Sequence, residues 1–550
     1  MKKYILHITA VLLLALSGCK KSFLAEKVYS TFTPEVLVDS LAFEAAIVGI
    51  QSQYALWHTQ EGDPYDSEGW LCVWQIGTDV AYNKAIADQD PFAIPYTNYE
   101  SLTSTDPAAL FSWKWAYNVI NNCNVVIANI NNPNLEMGQQ NKNSIKAEAS
   151  FYRAVAYNVL ATLFGKVPII TAPSTGPKTD FVRAELADVN KLIVDDLTFA
   201  KTNLPSIENV KTNSAGKMYA RPNRSMASQL LAEAYLRIGG NDALAEAECD
   251  AVINSGDFSL ITSRYGIKAT QPGDAFSDMF IYGNERRGQG NKEAIWVYEM
   301  EDPTTVVGGA GLLSSSNFPG YVFGDPQQLR VWGTRYYNQK GMVLCDSLGG
   351  RGISRLSLTY WVLNNLYGAN DMRNSQYNIR RVWYYNDPSF PLYGQPVVPG
   401  PGIDTVEAIV PITMKWAQYN HLARGPSHMI KDIIIMRLGE TYLLKAEAQF
   451  KQGNTGGAAA TLNILRARAG ASPISGSDVT MDFILDERAR ELIAEENRRM
   501  TLMRTGTLVE RASSRGQGIT GLTQNQLLLP IPETEIQLNK DAALGQNPGY

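Results

Sequence analysis

Apolar residues recur at helical spacing in pairs of segments, with a short break between the two members of each pair. Across residues 145–163 the apolar positions fall three and four residues apart, and Gly165 followed by Pro168 ends the run. A second segment with one apolar face covers residues 186–204 and stops before Pro205. This pattern predicts two amphipathic helices joined by a loop.

The same two-helix unit recurs along the chain. Further pairs are predicted at residues 221–239 with 244–254, at two helices within 436–470, and at 42–56 with 112–130. The unit length is near the roughly 34 residues of tetratricopeptide repeats, and Ala-Glu-Ala-Tyr-Leu at 232–236 is similar to their consensus. Since one pair cannot bury its apolar face alone, the pairs should stack into one scaffold. The sequence therefore predicts a mainly α fold, a single large domain with tetratricopeptide-repeat-like helix pairs.

The predicted scaffold occupies residues 36–255 and 430–510, and the region between them has a different composition. Glycine clusters at 308–311 and 349–352 and a proline-rich run at 396–401 divide residues 256–430 into short pieces, with aromatic residues between them. Aromatic residues make up 10% of the chain, and binding residues are often found on loops that a rigid frame supports. We therefore expect a loop-rich, ligand-binding insert within one domain of residues 35–550.

The chain begins with the pattern of an export signal that ends in a cysteine. Two lysines at positions 2–3 give a positive start, and residues 5–16 form an apolar stretch that is short for a membrane span. Leu-Ser-Gly-Cys at 16–19 is a lipobox. The alternative is an ordinary secretory signal with an incidental cysteine.

This pattern predicts a lipoprotein. We expect a signal peptide at residues 1–18, a lipid on Cys19, and an acylated tether at 19–34. Three acyl chains exceed the roughly two anchoring signals that stable membrane attachment needs. No later run of 18 or more apolar residues is found, so the lipid is the expected membrane anchor.

The charge of the chain argues against nucleic acid as a partner. Loss of Lys2 and Lys3 with the signal would shift the net charge from −5 to −7. Such mild acidity, without a basic stripe, offers nothing to a phosphate backbone. We therefore expect no nucleic-acid partner.

Four cysteines remain beyond the lipobox, and none of them forms a C-x-x-C pair. They are Cys72, Cys123, Cys249 and Cys345. A chain that can bury a large core does not depend on disulfides, and two of these cysteines lie in helical patterns. Buried free thiols are the favoured interpretation, and two disulfides are the alternative.

The usual catalytic motifs are missing. The mature chain has histidines at 58, 421 and 428, without H-E-x-x-H or a spacing that suits zinc. It has no G-x-S-x-G elbow, no phosphate-binding loop and no complete G-x-G-x-x-G. We expect no catalytic residue, metal or cofactor. An anchored glycoside hydrolase is the rival hypothesis, because its two carboxylates need no fixed spacing in sequence.

A segment rich in both charges follows Ile484. Opposite charges lie three and four residues apart at Glu487, Arg488, Arg490, Glu491, Glu495, Arg498 and Arg499. This spacing predicts a helix face with exposed ion pairs of about 0.2 to 0.5 kcal/mol each. A catalytic carboxylate pair is the functional alternative.

Several blocks occur in an order that resembles the SusD/RagB lipoproteins, and together they cover essentially the whole mature chain. They are the lipobox with Phe23-Leu24, and residues 146–154, 163–170, 436–448, 462–470, 484–492 with 498–499, and 529–532 with 546–550. The resemblance implies a single α-rich domain with tetratricopeptide-like helices packed against loop-rich segments.

The resemblance also implies a function. It indicates a glycan-binding lipoprotein of the cell outer membrane, lipid-anchored and facing the extracellular side, that delivers oligosaccharides or polysaccharides to a SusC-like TonB-dependent transporter. A peptide-binding member of the same family is an alternative. Residues 20–24, Lys-Lys-Ser-Phe-Leu, lack the acidic run often linked to surface export, so the membrane leaflet is inferred from the family and not from the tether.

Sugar binding requires two kinds of side chain. Pyranose rings stack their C–H groups on aromatic faces, and their hydroxyls need polar partners. The candidates that combine both are Trp74, Asp79, Tyr82 and Asn83 in an early loop, Trp332, Arg335, Tyr336 and Tyr337 in the insert, and Trp383 beside two tyrosines. The alternative for each aromatic is a residue that packs a loop onto the helices, and a turn-capping carboxylate would explain Asp79.

Overall fold

The computed structural model describes residues 37–59, 69–84, 92–213, 216–300, 328–418 and 431–550. The α-helices of these residues are α1 Ser40–Ala55, α2 Gly69–Val73, α3 Ile94–Thr97, α4 Pro107–Asn129, α5 Gln139–Phe164, α6 Leu186–Asn203, α7 Arg224–Ile238, α8 Asp242–Ile253, α9 Ala275–Asp278, α10 Gln328–Trp332, α11 Tyr360–Asn364, α12 Leu438–Lys451, α13 Thr455–Arg468, α14 Met481–Leu492, α15 Arg498–Arg504, α16 Leu508–Arg515 and α17 Glu533–Leu538. The strands are β1 Ala81–Tyr82, β2 Thr212–Asn213, β3 Gly216–Lys217, β4 Ala294–Tyr298, β5 Ser357–Leu358, β6 Ile379–Arg380, β7 Ile412–Thr413 and β8 Ile433–Arg437.

The long helices form a stack in which each packs against the next. Helix α1 packs on α4, and α4 to α8 then follow one another as neighbours. In α6 the apolar residues Val189, Ile193 and Leu197, which lie four positions apart, are buried toward the stack. The predicted helix pairs and the mainly α fold class are confirmed.

The stack continues across the insert. Helix α12 packs directly on α8, and α13 then packs on α12. Small and apolar residues of α7, α8 and α12 meet in one buried cluster, which consists of Ala232, Leu236, Ala245, Cys249, Leu444 and Ala448. Alanines at this seam let the helix backbones approach closely, so the two parts of the scaffold join as one body.

Helix ends coincide with residues that satisfy free backbone groups. Asp39 accepts a hydrogen bond from the Ala42 N–H at 2.9 Å at the start of α1, and Thr480 accepts one from the Phe483 N–H at 3.0 Å at the start of α14. Gly165 ends α5 with a φ of 72°, a conformation that favours glycine. The residues that begin and end these helices therefore do so through hydrogen bonds and backbone conformations within a few residues of the helix ends.

The insert between α8 and α12 consists of short strands and short helices joined by loops. Strand β4 pairs antiparallel with β8, so that Tyr298 lies opposite Ile433. Strand β5 pairs antiparallel with β1, and β6 with β7. These pairings connect the insert both to the early loop after α2 and to the start of α12.

A network of buried ion pairs joins the insert to the C-terminal helices. Arg437 of β8 contacts Glu293 and Glu491, and Glu491 also contacts Arg468 of α13 and Arg373 of the insert. All five side chains are buried. Burial opposes the ionisation of Glu491, but the three guanidinium groups hold its pKa well below 4.5.

The prediction of an exposed charged helix face is therefore wrong. Glu487, Arg488 and Glu491 are buried in α14, and Arg498 and Arg499 are buried in α15. The regular spacing of charges is the same on a solvated face and in an interior network. What differs is the set of partners, which come from distant parts of the chain.

The four cysteines beyond the lipobox are free thiols. Cys72, Cys123 and Cys249 are buried, and Cys345 is half-buried. Burial raises the pKa of Cys123 and of Cys249 above the usual 9.0, which keeps both thiols protonated. They behave as small apolar residues of the core.

The signal peptide, the tether and Cys19 lie outside the described residues. Within the described ranges, no helix combines the length and the apolarity that crossing a bilayer requires.

Glu491→Gln should reduce the free energy of unfolding by about 3 to 5 kcal/mol, because three buried guanidinium groups lose a charged partner. Urea unfolding followed by circular dichroism measures this loss. The control is Glu185→Gln, in an exposed pair with Lys166 whose side chains are 68% and 50% exposed. It should cost less than about 1 kcal/mol. An equally small loss for Glu491→Gln would mean that the network contributes little to stability.

Candidate functional site

Asp79 lies in the interior, where protein donors occupy its carboxylate. It accepts hydrogen bonds from Arg498 at 2.8 and 2.6 Å and from Arg511 at 2.7 Å. The side chain is fully buried. Burial opposes its ionisation, but the two guanidinium groups lower its pKa from 3.8 to about 2. Asp79 thus fixes the early loop to α15 and α16.

Trp74 and Trp332 both line a cavity of about 200 Å³. They are 8% and 3% exposed. The Trp74 ring packs against Trp57 and Trp70, with centroids 5.1 and 5.6 Å apart. Neither indole presents a face to the protein surface on which a long glycan chain could stack.

Tyr336 and Trp383 belong to a second apolar cluster inside the insert. Their rings stack with centroids 5.3 Å apart and an angle of 26°. The Trp383 indole N–H donates to the Val410 carbonyl at 2.9 Å, and the Tyr336 hydroxyl donates to the Cys345 carbonyl at 3.1 Å. Both are 1% exposed, so they stabilise the insert and cannot stack on a surface ligand.

Arg335 and Tyr337 are half-buried and already have protein partners. Arg335 forms an ion pair with Glu407 at 2.9 Å. The Tyr337 hydroxyl donates to the Gly352 carbonyl at 3.1 Å, and the Arg351 guanidinium lies over its ring at 5.7 Å. These side chains reach the surface but are held in place by the insert.

The structure brings the early loop and the insert together at one surface. Strand β1, which contains Tyr82, pairs with β5. The Lys84 ammonium donates to the Thr405 carbonyl, and the Arg335 backbone N–H donates to the Glu407 carbonyl at 2.9 Å. Two candidate segments that are far apart in sequence thus contact the same loop at 404–407.

An aromatic patch, formed by Tyr82, Tyr360 and Trp361, lies beside the β1–β5 pair. Tyr360 is 67% exposed, and the other two rings are half-buried. Gln517 joins them, because its side chain bonds to the Tyr82 hydroxyl and accepts the Tyr360 backbone N–H. Asn83, next to Tyr82, is only 7% exposed. Burial raises the pKa of Tyr82 above 10.0, so its hydroxyl stays protonated and can donate.

Arginine side chains fix the orientation of Trp361. The guanidinium groups of Arg511 and Arg515 lie over its ring at 5.4 and 5.2 Å from the centroid. Arg511 is the same residue that binds Asp79. The ion pairs of the interior therefore position the aromatic patch at the surface.

Tyr360 and Trp361 were not among the residues predicted from the sequence. The available signal was Thr359 followed by two adjacent aromatics, because Thr359 caps α11 by accepting the Val362 N–H at 3.3 Å. Adjacent residues on a helix point about 100° apart, so a short surface helix that begins with two aromatics presents at least one of them to solvent.

Two family models match the chain. One, described as the SusD family, matches residues 406–550, and another, described as starch-binding associating with outer membrane, matches residues 52–236. The two ranges together span more than half of the chain. They include most of the helix stack on both sides of the insert.

Individual proteins match as well. Starch-binding protein SusD of Bacteroides thetaiotaomicron is 34% identical over 145 residues, which is 25% of this chain and 25% of that protein. A SusD-like protein of Formosa agariphila is 25% identical over 457 residues, 78% of each chain. The first alignment thus spans a quarter of that relative's length, and the second more than three quarters.

Solved structures share the fold over almost the whole chain. A laminarin binding SusD-like protein superposes with a TM-score of 0.69 at 22% identity, over 93% of this chain and 100% of that one. Surface glycan-binding protein A from Bacteroides thetaiotaomicron, in complex with laminarihexaose, superposes with a TM-score of 0.68 at 19% identity, over 92% and 99%. The stack and the insert therefore form one known architecture.

Asp79→Asn should reduce the free energy of unfolding by about 3 to 5 kcal/mol at neutral pH, because it removes the shared partner of two buried arginines. The loss should depend on pH. Since the folded pKa of about 2 lies below 3.8, the contribution of the carboxylate is complete above pH 3.8 and decreases as the pH falls toward 2. Urea unfolding of both proteins across this range measures the difference.

The control for this prediction is Asp482→Asn. Asp482 binds the same Arg511, but its side chain is 46% exposed, so the cost should stay below about 1 kcal/mol. A loss for Asp79→Asn no larger than the control's, or one that does not change with pH, would contradict the buried ion pair.

Proposed function

Because this chain belongs to the SusD/RagB family, we propose that it is a glycan-binding protein of the bacterial cell surface. It captures oligosaccharides or polysaccharides and delivers them uncleaved to a SusC-like TonB-dependent transporter in the outer membrane. The descriptions of the matching families and relatives support this proposal, since they name starch binding, laminarin binding and association with the outer membrane.

The observation that carries the binding proposal is the aromatic patch. The face of Tyr360 is open to solvent, as stacking on the C–H groups of a sugar requires. Asn364 on the same helix is exposed, and Arg515 beside Trp361 is partly exposed. Both can bond to sugar hydroxyls. Because Gln517 and the arginines hold the patch in place, little conformational entropy is lost when a glycan binds.

The burial of carboxylates in the charged helix α14 supports capture without cleavage. A catalytic carboxylate pair is the functional alternative for this helix, but its Glu487 and Glu491 are fully buried and paired with arginines. A glycosidase requires two carboxyl groups on either side of a bound sugar. Carboxylates enclosed in this network cannot reach a glycan at the surface.

The lipobox at 16–19 supports attachment to the membrane. A lipid on Cys19 would anchor the chain, and residues 19–36 would connect it to the first described helix. A chain of this length spans at most about 60 Å when extended. The folded domain could then meet a transporter in the same membrane without leaving its anchor.

Tyr360→Ala should weaken glycan binding by about 1 to 2 kcal/mol, because it removes the exposed stacking face of the patch. Isothermal calorimetry with laminarin and starch oligosaccharides measures the affinity, and a reducing-end assay on the same samples should show no cleavage. The control is Tyr393→Ala, which removes a ring that is 56% exposed and lies outside the patch. Unchanged affinity in a folded Tyr360→Ala protein would remove the patch from the binding site.

Cys19→Ala should release the protein from the outer-membrane fraction, because the acylated thiol is lost, while glycan affinity stays the same. Membrane fractionation of cells that express each form measures the distribution. Retention of the variant in the membrane fraction would refute the lipid anchor, even if glycan binding were intact.

A further inference from the structure

The cavity of about 200 Å³ is lined in part by α10, α14, α15 and β8 and by the loops that follow α1 and α2. Its wall combines aromatic, aliphatic, polar and charged side chains. The lining includes three tryptophans, two glutamines and an arginine, which are Trp57, Trp74, Trp332, Gln75, Gln328 and Arg488. All six are at least nine-tenths buried.

Four buried polar atoms on this wall have no hydrogen-bond partner among the described residues. They are Trp74 Nε1, Gln75 Oε1, Gln328 Oε1 and Arg488 Nη1. Other indole N–H groups of the wall are satisfied, since Trp115 donates to the Gln53 carbonyl and Trp416 to the Ala494 carbonyl. Buried polar atoms are rarely left unsatisfied, so four such atoms on residues that line one cavity indicate an occupant.

The roles of the four atoms are set by their neighbours. The Gln75 amide Nε2 donates to the Glu496 carbonyl at 2.6 Å, and the Gln328 Nε2 donates to the His58 carbonyl at 3.2 Å. Rotating either amide would place oxygen against oxygen, so both Oε1 atoms are acceptors that remain available.

The other two atoms are donors. The indole N–H of Trp74 can only donate. The Nε and Nη2 groups of Arg488 already donate to Glu496 and Glu440, which balance its charge. Its Nη1–H group therefore remains available as a donor. These four atoms thus comprise two donors and two acceptors, and the charge of Arg488 is balanced by Glu440 and Glu496.

We propose that this cavity is a binding site for hydroxyl groups, occupied by ordered water or by a polyol of the size of a single sugar. An anion would satisfy the donors and leave both amide oxygens unpaired, and a cation would do the reverse. A hydroxyl group both donates and accepts, so it can satisfy all four atoms. At roughly 30 Å³ per molecule, the cavity has room for several waters. The residues that line the cavity do not include Tyr82, Tyr360 or Trp361, so this site is distinct from the aromatic patch.

The test is a crystal structure of the mature protein at a resolution that shows ordered water, solved with and without D-glucose. We expect density within hydrogen-bonding distance of all four atoms. Water in both crystals identifies water as the occupant, and a glucose ring in the second identifies a polyol. An empty cavity, or side chains that turn to pair with one another, would overturn the proposal.

A matched pair of variants tests the site in solution. Trp74→Phe keeps a ring and removes one free donor, and its structure should lose the hydroxyl at that position while the others stay. Trp115→Phe removes an N–H that is already bonded to the backbone and should leave the occupancy unchanged. If glucose is the occupant, tryptophan fluorescence should titrate with it in the wild type, and the affinity should fall severalfold in Trp74→Phe alone. If Trp74→Phe fails to fold, the wild-type crystal still decides the matter.

Discussion

Buried pairs between arginine and carboxylate hold this protein together where secondary structure does not. The insert has short strands and little helix, so few backbone hydrogen bonds fix it to the frame. Glu491 of α14 binds arginines from β8, α13 and the insert, and Asp79 ties the early loop to α15 and α16. Such pairs need their partners, because a buried charge that loses its partner is costly. The C-terminal helices therefore act as the body onto which both loop regions are fastened.

How much of this structure follows from the sequence depends on the distance over which each signal acts. The helix pairs could be predicted because helical spacing and end signals are local, and the predicted segment 186–204 matches Leu186–Asn203. The environment of the charged helix α14 could not be predicted in this way. Charges spaced three and four residues apart are compatible with either a solvated face or an interior network, and its partner Arg373 lies more than 100 residues away in sequence. The exposure of the aromatic candidates could not be predicted either. Trp332 and Trp383 pack in the interior, whereas Tyr360, which was not a candidate, lies at the surface.

The interior and the proposed binding surface are linked through shared residues. Arg511 contacts both Asp79 and the ring of Trp361, and Gln517 contacts both Tyr82 and Tyr360. The aromatic patch is thus set by contacts with β1, β5 and α16 and does not depend on a single loop. A surface that several elements support loses little conformational entropy on binding, which is consistent with the proposed glycan capture.

The contact between α8 and α12 means that the chain leaves the helix stack and returns to it at the same place. Ile253 and Leu438 end neighbouring helices although the whole insert separates them. Loops whose ends meet tolerate changes of length at small entropic cost. Insertions or deletions within the insert are therefore compatible with an unchanged packing of α8 against α12.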